Sequence, residues 1–433
     1  MNNNEIYGEK AHRLVPAGAH TYSRTDEVFP ANAPRVFERT KGVYAWDVDG
    51  NKFVDYAMAC RSVTVGYGFD RISEAAIEQI RKGNTASKAT KIEVEAAEVL
   101  VDLIPWIDMV KFAKNGSTVT SAATKLARAY TGRKLIARCR DHSFFSYDDW
   151  FIGDTVMNKG VPEDISNLTI QFGYNDIESV KKMFEMYKGQ IACLIMEPVE
   201  SEEPKDGFLQ KVGQLCKENG VVYILDEMIT GFRWDIQGAC KYYGVEPDLV
   251  TFGKGMANGF SVAALGGKRE IMELGGLIPG RERVFLISTT HGAEMCGLGA
   301  FVETVNVYKE LDVTKKIWEN GRKICDGLSE IAKEFGLQDY FYTVGAECSP
   351  NFIVCDDEKK PSLDYRTVFC QEMIEQGVLM PYLAPAYEHT DLEINITLEA
   401  ARKAMKKYQE ALNGNVRDHI IGNVIQSVFR KYN

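Results

Sequence analysis

Two charged residues stand at the ends of neighbouring apolar runs, and their types and spacing could do chemistry together. Asp226 follows the run VVYIL and Lys254 closes the segment DLVTFGK, 254 − 226 = 28 positions later. Such runs are typical of buried parallel strands, and ligands bind beyond the carboxyl ends of these strands. We therefore expect both side chains to face one crevice, the alternative being two ordinary solvated charges.

A carboxylate and a lysine offered to one small ligand fit a cofactor that has a basic ring nitrogen and an aldehyde. Pyridoxal phosphate (PLP) has both groups: a lysine holds the aldehyde as a Schiff base, and an acid keeps the pyridine nitrogen protonated so that the ring can accept electrons. The combination predicts PLP as the cofactor, with Lys254 and Asp226 as catalytic residues.

Two polar turns that precede helices could hold the cofactor's phosphate. The turn Asn115-Gly116-Ser117 leads into an Ala-rich helix that we expect to open at Thr118. Backbone N–H groups at a helix N-terminus bind anions, so Gly116, Ser117 and Thr118 are the predicted phosphate contacts. The alternative is a simple N-cap at Ser117, worth about 1 kcal/mol. A second turn, ISTTHGAEMCGLGA at 287–300, either completes the phosphate site or caps its own helix.

The elements that must position these residues alternate between helix and strand from about residue 60 to 300. Alternation of this kind predicts βαβ units and a mostly parallel sheet wrapped by helices, the large domain of an α/β protein. We predict helices over 70–82 and 91–103. The predicted strands are VKFAK, KLIARC, IACLIMEPV, VVYILDE, DLVTFGK, AALGGK and VFLIS.

The two ends of the chain have a different pattern. Residues 1–59 contain a hairpin signal, YAWDVDGNKFVDY, centred on Asp-Gly. Residues 301–433 contain long amphipathic helical patterns that flank the short strands NFIVCD and GVLMP. We expect residues 301–433 to form a smaller α+β domain, which the N-terminal segment joins.

Composition excludes several classes of function. The net charge of −10 argues against nucleic-acid or anionic-membrane partners, because no basic stripe is available to neutralise phosphates. The N-terminus, MNNNEIYGEK, lacks a secretory signal, and no run of eighteen apolar residues occurs, so we expect a cytoplasmic protein. The 10 cysteines and 6 histidines form no ligand motif, which predicts reduced thiols and no metal site.

Taken in order along the chain, the motifs resemble those of the class III PLP-dependent aminotransferase family, in the group that includes glutamate-1-semialdehyde 2,1-aminomutase. The similarity spans nearly the whole chain and is carried by GVYAWDVDGNKFVDY, KLARAYTGRK, IMEPV, LDEMITGFR and FGKGMANGFSVAALGGK. It implies PLP fold type I, with a large domain of mostly parallel sheet wrapped by helices and a smaller α+β domain.

The resemblance also implies roles for individual residues. Lys254 would hold the cofactor, Asp226 would contact its ring nitrogen, and Met228 would pack beneath the ring. Gly116 and Ser117 match the family's phosphate turn. These assignments agree with the chemistry expected from the residue types.

Other residues gain a role only through the resemblance. Thr289 matches a threonine that reaches the phosphate of the partner subunit's cofactor, which implies a homodimer with shared active sites. Arg24, in TYSR, stands where the aminomutase group has an arginine that grips a substrate carboxylate, a geometry that guanidinium suits. Glu388, in PAYEHT, stands near the mouth of the site in that group.

The chain departs from the family pattern on the ring face and on the substrate side. Asp141 stands where an aromatic residue is expected to stack on the ring, so either His142 or Phe144 takes that place or the face is covered differently. Cys60 and Arg61 replace a Trp-Gly pair, which makes Arg61 a predicted substrate residue.

Two further departures lie beside the phosphate turns. Thr118 replaces a glutamate, and Gly292-Ala293-Glu294 replaces Gly-Asn-Pro. We infer retained PLP chemistry applied to an altered substrate.

The predicted function is transfer of an amino group to or from a small carbonyl metabolite, by an intermolecular aminotransferase that uses an amino donor and a carbonyl acceptor. The alternative within the same chemistry is an intramolecular 2,1-aminomutase. An alternative of another class is a non-catalytic protein that binds a phosphorylated small molecule between the two glycine turns.

Overall fold

The computed structural model describes residues 2–431, and these divide into two compact units. One unit contains the residues up to Phe69 together with Asp312–Val428. The other contains Asp70–Leu311 and the residues from Phe429 on. The division predicted from the sequence, with boundaries after residues 59 and 300, stays a prediction.

The strands and helices are numbered in chain order. The strands are β1 (Phe37–Lys41), β2 (Tyr44–Asp47), β3 (Lys52–Asp55), β4 (Met109–Ala113), β5 (Leu135–Cys139), β6 (Thr169–Phe172), β7 (Ile191–Met196), β8 (Val222–Glu227), β9 (Leu249–Phe252), β10 (Ala263–Gly267), β11 (Phe341–Val344), β12 (Asn351–Val354) and β13 (Val378–Leu379). The helices are α1 (Asn3–Leu14), α2 (Met58–Arg61), α3 (Asp70–Arg81), α4 (Lys91–Leu103), α5 (Gly116–Thr131), α6 (Asp149–Ile152), α7 (Glu163–Ser166), α8 (Ile177–Met186), α9 (Phe208–Asn219), α10 (Ala239–Tyr243), α11 (Arg269–Met272), α12 (Met295–Leu311), α13 (Val313–Glu334), α14 (Leu363–Glu375) and α15 (Asp391–Leu412). Short 3₁₀ turns cover Pro16–Gly18, Tyr22–Arg24, Asp26–Val28, Lys254–Ala257, Glu273–Gly275 and Val416–His419.

The unit that begins at Asp70 is built on a seven-stranded sheet of order β4-β10-β9-β8-β7-β5-β6. Strand β10 is antiparallel to β4 and β9, and the other pairs are parallel. Strands β7 and β8 are buried along their whole length, as expected for unbroken apolar runs in a parallel sheet. The predicted α/β class with a mostly parallel sheet is confirmed.

Helices cover both faces of this sheet. Cys193 and Ile195 of β7 pack in a core cluster with α5, whereas Leu194 and Met196 pack in a second cluster with α8 and α9. Successive strand residues point to opposite faces, so one strand contributes to both layers. This three-layer arrangement leaves the carboxyl ends of the parallel strands as the place for a ligand.

One predicted strand in this unit is wrong and another was missed. The segment VFLIS at 284–288 is a loop: Val284 and Leu286 pack against the core, while Phe285 is 73% exposed. The apolar side chains of this loop fill the core without joining the sheet. Strand β6 was not predicted, because its four residues, TIQF, carry only a short apolar pattern.

The other unit contains a four-stranded sheet of order β1-β2-β3-β13 and a separate β11–β12 pair. The predicted hairpin between β2 and β3 is present, with Gly50 at φ 87° in its turn. Strand β13 pairs with β3 in parallel, Val378 opposite Val54. Helices α13, α14 and α15 supply most of the core of this unit.

Helix α2 is an unusual single turn in the same unit. Met58, Ala59, Cys60 and Arg61 have φ values of 41°, 49°, 60° and 65°, so four successive residues other than glycine are left-handed. This conformation costs roughly 1–2 kcal/mol per residue for L-amino acids. The Asp55 carboxylate accepts hydrogen bonds from the backbone N–H of Ala57 (2.7 Å) and Met58 (3.3 Å), which helps to hold the turn.

Membrane-spanning helices and metal-binding clusters are both absent from residues 2–431. No helix in this range has the length and apolar character to cross a membrane. No group of three or more His, Cys, Asp or Glu side chains in the same range could hold a metal ion.

Candidate active site

Asp226 lies at the carboxyl end of β8, in the middle of the large sheet, and only 1% of it is exposed. Its Oδ1 accepts hydrogen bonds from the Oγ1 of Thr251 (2.8 Å) and from the backbone N–H of Met228 (3.0 Å). Thr251 stands opposite Asp226 in the β8–β9 register. The two neighbours therefore fix the orientation of the carboxylate.

Burial raises the pKa of Asp226 to about 6. The hydrogen bonds from Thr251 and Met228 and the charge of Lys254 lower this pKa and oppose the burial effect without cancelling it. A buried carboxylate is costly unless a cation or further hydrogen bonds compensate its charge. Asp226 is thus an anion that would gain from one more positive partner.

Lys254 opens the 3₁₀ turn Lys254–Ala257, directly after β9. Its φ of 43° is left-handed, a conformation that residues other than glycine adopt at a cost of about 1–3 kcal/mol. The side chain is half-buried, and its charge acts on Asp226. The structure therefore brings Asp226 and Lys254 together at the ends of two adjacent parallel strands.

Met228 lies between two glycines. A Cβ atom on Gly116 would stand 2.9 Å from the Met228 Sδ, and a Cβ on Gly253 would stand 2.6 Å from the same atom. Both positions must therefore stay small for the thioether to keep its place. Met228 connects the strand end that carries Asp226 with the start of α5, where the predicted phosphate turn lies.

The turn predicted to bind phosphate differs from the prediction in its N-cap residue and in the start of its helix. The N-cap of α5 is Asn115, whose Oδ1 accepts hydrogen bonds from the Thr118 backbone N–H (3.0 Å) and the Thr118 Oγ1 (3.1 Å). The alternative of a capping Ser117 is thus wrong, as is a helix start at Thr118, because α5 opens at Gly116. Asparagine is as strong an N-cap as serine, and its position two residues before Ser117 leaves Ser117 inside the first turn.

Ser117 connects this turn with the loop that follows β5. Its Oγ accepts a hydrogen bond from the Tyr147 backbone N–H (3.1 Å), and the neighbouring Thr120 Oγ1 donates to the Phe145 carbonyl oxygen (2.8 Å). Further along α5, the Trp150 Nε1 donates to the Ser121 Oγ (2.8 Å). The first turns of α5 and the 143–150 segment are therefore held in one arrangement.

The two residues predicted as alternatives for the ring face have different surroundings. His142 is 3% exposed, and its Nδ1 accepts a hydrogen bond from the Glu197 backbone N–H (3.0 Å). Burial lowers the pKa of His142 to about 4, so the imidazole is neutral at physiological pH. Phe144 is 46% exposed, and its ring lies edge-on against Phe151 at 5.6 Å.

His142 lies at the same edge of the sheet as Asp226. Glu197, to which His142 binds, directly follows β7, and β7 neighbours β8 with Met196 opposite Leu225. Asp141, which replaces the expected aromatic residue, accepts a hydrogen bond from the Tyr174 backbone N–H (2.7 Å) on its Oδ2. Its side chain therefore belongs to the wall of the crevice beyond His142.

The second predicted turn carries Thr289 on the surface of its unit. Thr289 is exposed, and its Oγ1 lies close to Gly292, where a Cβ would meet it at 2.7 Å. Glu294, a departure from the family pattern, forms an ion pair with Lys114 and accepts a hydrogen bond from the Asn84 Nδ2 (2.7 Å). The substituted residue is thus tied to the end of β4.

The predicted substrate residues Arg24 and Arg61 belong to the unit that contains the four-stranded sheet. Arg24 is exposed at the end of the turn Tyr22–Arg24. The Arg61 Nε donates to the Ser349 Oγ (3.1 Å), and its guanidinium carbon lies 4.1 Å from the centre of the Tyr382 ring. Burial raises the pKa of Asp55, and the charge of Arg24 opposes that effect, so Arg24 lies near the carboxylate that holds α2.

Glu388 lies in the same unit against a glycine-lined surface. A Cβ on Gly66 would stand 1.9 Å from the Glu388 Oε2, and one on Gly42 would stand 3.5 Å from it. The Glu388 backbone N–H donates to the Val65 carbonyl oxygen (3.0 Å). The close approach requires a residue without a side chain at position 66.

The residues around Asp226 fit PLP on three observations. The buried carboxylate lacks full charge compensation and suits a protonated ring nitrogen. Gly116 and Gly253 allow the Met228 thioether to pack between them, where it offers an apolar surface to a flat ring. The first turn of α5 offers backbone N–H groups and hydroxyls to an anion.

Sequence reasoning missed several residues that shape this site. Thr251 could have been found, because it lies on β9, three residues before Lys254, and stands opposite Asp226 once β8 and β9 are paired. The Lys114–Glu294 pair joins residues 180 positions apart, and Tyr174 follows the strand that was not predicted. The linear sequence carries no signal for the Lys114–Glu294 contact or for the position of Tyr174.

Comparisons with known proteins bear on the whole chain. The model of the family described as aminotransferase class-III matches residues 28–412. A 3-aminobutyryl-CoA aminotransferase of Cloacimonas acidaminovorans is 32% identical, and the match covers 93% of this chain and 97% of that protein. A glutamate-1-semialdehyde 2,1-aminomutase of Sulfurihydrogenibium azorense is also 32% identical, over 94% of this chain and 99% of that protein.

Solved structures agree with the fold. The PLP form of the FumI protein of Sphingopyxis sp. MTA144 has a TM-score of 0.86 at 26% identity, over 95% of this chain and 97% of that one. An omega-transaminase of Sphaerobacter thermophilus has a TM-score of 0.84 at 22% identity, over 94% and 98% of the two chains, and supports the fold alone. The fold-type-I architecture and the resemblance noted from the sequence are confirmed.

Proposed function

Because this chain belongs to the class-III aminotransferase family, we propose that it transfers an amino group between a small amino donor and a small carbonyl acceptor. Members of this family are PLP-dependent enzymes, so the predicted cofactor and enzyme class are confirmed at that level. Family membership favours an enzyme over the non-catalytic binding protein. The observation that best supports the proposal is the buried Asp226 carboxylate beside Lys254 at the strand ends.

The proposed chemistry divides between two residues. PLP, when bound, supplies a ring that stabilises negative charge at the carbon from which a proton is removed. The Asp226 carboxylate holds a proton on the ring nitrogen. Burial raises the pKa of Asp226, so its carboxylate is more stable beside this positive partner than as an unpaired anion. The Lys254 Nζ would take the proton from the Cα of the amino donor as a general base and, as a general acid, would deliver it to the cofactor carbon that receives the amino group.

We assign phosphate binding to the first turn of α5. The backbone N–H groups of Gly116 and Ser117 point along the helix axis at its N-terminus, where the helix dipole favours an anion. The Ser117 oxygen accepts from Tyr147, which leaves its hydroxyl proton to donate to the phosphate. Thr118 is bound to Asn115 through both its N–H and its hydroxyl, so its proposed contact is weaker.

For the ring face we favour His142 over Phe144, with Met228 on the other face. His142 is buried at the edge of the sheet beside Asp226, whereas the Phe144 ring is packed edge-on against Phe151. A neutral imidazole adds no charge next to the protonated ring nitrogen. Replacing His142 with Phe should preserve stacking, so the affinity for PLP should stay close to that of the wild type.

We propose a homodimer in which Thr289 serves the neighbouring subunit. The exposed position of Thr289 supports this, because its hydroxyl is available to a neighbouring subunit, and Phe285 on the same loop is 73% exposed. Subunits of Lys254→Ala and Thr289→Ala, each impaired alone, should regain activity when mixed, because one of the two shared sites is then intact. Sedimentation of the wild type as a monomer at all concentrations would refute this part.

Arg24, Arg61 and Glu388 are proposed as substrate-side residues. The left-handed turn that ends at Arg61 is retained despite its conformational cost, and strain of this kind is concentrated at functional positions. Stacking on Tyr382 and the bond to Ser349 pre-orient the Arg61 guanidinium for an anionic group. Arg24→Ala and Arg61→Ala should each raise the KM for a carboxylate-bearing substrate more than they lower kcat.

The decisive experiment is the half-reaction of purified enzyme with PLP. A panel of amines is added to the pyridoxal form, and conversion to the pyridoxamine form is followed by absorbance. Wild type should convert with at least one donor, and Lys254→Ala should not. Full turnover by Lys254→Ala would exclude the proposed role of this lysine.

The aminomutase alternative is supported by the 32% identity to the Sulfurihydrogenibium enzyme. An aminomutase needs no second substrate. Supplying the pyridoxamine form with one amino-aldehyde acid and detecting its isomer, with no external acceptor, would establish this reaction in place of intermolecular transfer.

A further inference from the structure

A polar pocket opens beside His142 at the carboxyl ends of the sheet strands. Its volume is about 310 Å³, and its walls include Arg140, Asp141, His142, Tyr174, Glu200 and Glu202. This volume is in the range of sites that hold small molecules. Among the residues assigned above to PLP, only His142 lines it, so the pocket has room for a different molecule.

His142 presents an unsatisfied hydrogen-bond donor. Its Nδ1 accepts from the Glu197 backbone N–H, which places the ring hydrogen on Nε2. Within the described residues, the buried Nε2 has no hydrogen-bond partner. A buried donor left unsatisfied costs about 1–3 kcal/mol, so an oxygen atom of a ligand in this pocket would remove a penalty.

The charges in the pocket are largely compensated. The Asp141 Oδ1 lies 3.6 Å from the Arg140 Nε, and Glu202 forms an ion pair with Lys205. The Glu200 Oε1 accepts from the Ser143 Oγ at 2.9 Å. At least two of the three carboxylates thus face cations already, and the pocket gives neither a cationic nor an anionic ligand a strong Coulombic advantage.

A donor and several acceptors nevertheless remain among the residues that line the pocket. The His142 Nε2 can only donate, whereas each carboxylate keeps oxygen lone pairs that can only accept. A hydroxyl group satisfies both kinds of partner, because it accepts through one lone pair while it donates its hydrogen. An alkyl chain satisfies neither, and an ammonium group cannot accept from His142.

We propose that this pocket binds the hydroxyl groups of a polyhydroxylated amine or carbonyl substrate, with His142 donating and Glu200 and Asp141 accepting. The proposal rests on the proposed amino transfer and names its substrate class. It assigns Tyr174 a positioning role, because its backbone N–H holds Asp141 (2.7 Å) while its hydroxyl donates to the Pro198 carbonyl oxygen (2.6 Å).

The test compares four primary amines of six carbons as donors to the pyridoxal form: hexylamine, D-glucamine, 1,6-diaminohexane and 6-aminohexanoate. We expect kcat/KM for D-glucamine to exceed that for hexylamine by about tenfold or more, since hydrogen bonds to charged groups are worth roughly 10- to 100-fold each. Preference for the diamine would indicate a cation site, and preference for 6-aminohexanoate an anion site. Either result, or no preference, would overturn the proposal.

Variants assign the preference to the pocket. Glu200→Leu should reduce kcat/KM for D-glucamine about tenfold, mainly through KM, and leave that for hexylamine within about twofold. Glu200→Gln, which keeps the shape and an acceptor oxygen, should retain most of the preference even if the leucine variant folds poorly. The control Glu178→Leu removes an exposed carboxylate elsewhere in the same unit and should change neither value. An unchanged preference in both Glu200 variants would exclude the pocket.

A binding measurement separates this inference from the proposed function. D-Glucitol has no amino group and cannot react, and ligand-observed NMR gives its Kd for wild type and for Glu200→Gln and Glu200→Leu. We expect binding that weakens in Glu200→Leu. If no amine reacts but D-glucitol binds in this way, the amino-transfer function fails and the pocket assignment stands. Absence of D-glucitol binding would overturn the pocket assignment.

Discussion

Asp226→Asn is the substitution that most directly tests the electrostatics of the site. Without a cofactor, the buried carboxylate has a pKa of about 6, against 3.8 for the ordinary group. The difference of about 2 pKa units corresponds to about 3 kcal/mol at 1.36 kcal/mol per unit. Because the folded-state pKa is raised, the protonated form is the one that folding favours. The contribution of Asp226 to stability is therefore fully present below pH 3.8 and is lost as the pH rises through about 6.

The asparagine variant removes this dependence. Its amide oxygen can accept the same hydrogen bonds from Thr251 and Met228, and its NH₂ group adds a cost that does not change with pH. The free energy of unfolding of Asp226→Asn, relative to wild type, should therefore increase between pH 5 and pH 8. About half of the 3 kcal/mol, or roughly 1.5 kcal/mol, develops over this interval.

The assay is urea-induced unfolding of cofactor-free wild type and variant at pH 5 and pH 8, with Glu178→Gln as a control for loss of an exposed carboxylate. With PLP bound, the wild type should be more stable than Asp226→Asn, because a protonated ring nitrogen favours the ionised carboxylate. Asp226→Asn should then bind PLP more weakly and react more slowly. A stability difference that stays constant or falls with pH in the cofactor-free proteins would refute the assignment of an uncompensated buried charge.

Three further substitutions follow from the geometry. Gly116→Ala forces a Cβ to within 2.9 Å of the Met228 Sδ and should weaken PLP binding, measured by fluorescence titration, with partial recovery when combined with Met228→Ala. Ala59→Gly should stabilise the protein by about 1 kcal/mol, seen as a higher Tm, because glycine adopts the φ of 49° without strain. A lower Tm would show that the packing of the Ala59 methyl group contributes more to stability than the backbone strain costs. Gly66→Ala places a Cβ 1.9 Å from the Glu388 Oε2 and should reproduce the effect of Glu388→Ala on KM, whereas a Gly66→Ala enzyme with normal kinetics would remove Glu388 from the substrate site.

The large sheet could be predicted from the sequence because its strands are buried on both faces. Runs such as IACLIM and VYILDE are apolar enough to be identified without neighbours, and β7 and β8 begin and end within a few residues of the prediction. VFLIS has the same composition and forms a loop. Whether such a run pairs depends on a free sheet edge, which is a property of the whole fold.

The candidate site could be predicted only in part from the sequence, for a similar reason. The positions of Asp226 and Lys254 follow from the ends of two apolar runs. The left-handed turn at Met58–Arg61 has no local signal, because alanine, cysteine and arginine do not favour positive φ, and contacts such as those of Asp55 impose it. The unsatisfied Nε2 of His142 likewise depends on which neighbours the fold supplies.

The parallel pairing of β3 with β13 affects the order in which the protein can fold. Val54 and Val378 are 378 − 54 = 324 residues apart, so β3 leaves the ribosome long before its partner exists. At roughly 5–20 residues per second, this interval lasts about 15–65 s. During that time Asp70–Leu311 can fold, while the free edge of β3 is open to pairing with another nascent chain. A circular permutant of this sequence that begins at Asp70 and connects residue 433 to residue 1 through a flexible linker would synthesise β13 and β3 closer in time, and should give more soluble protein under rapid expression.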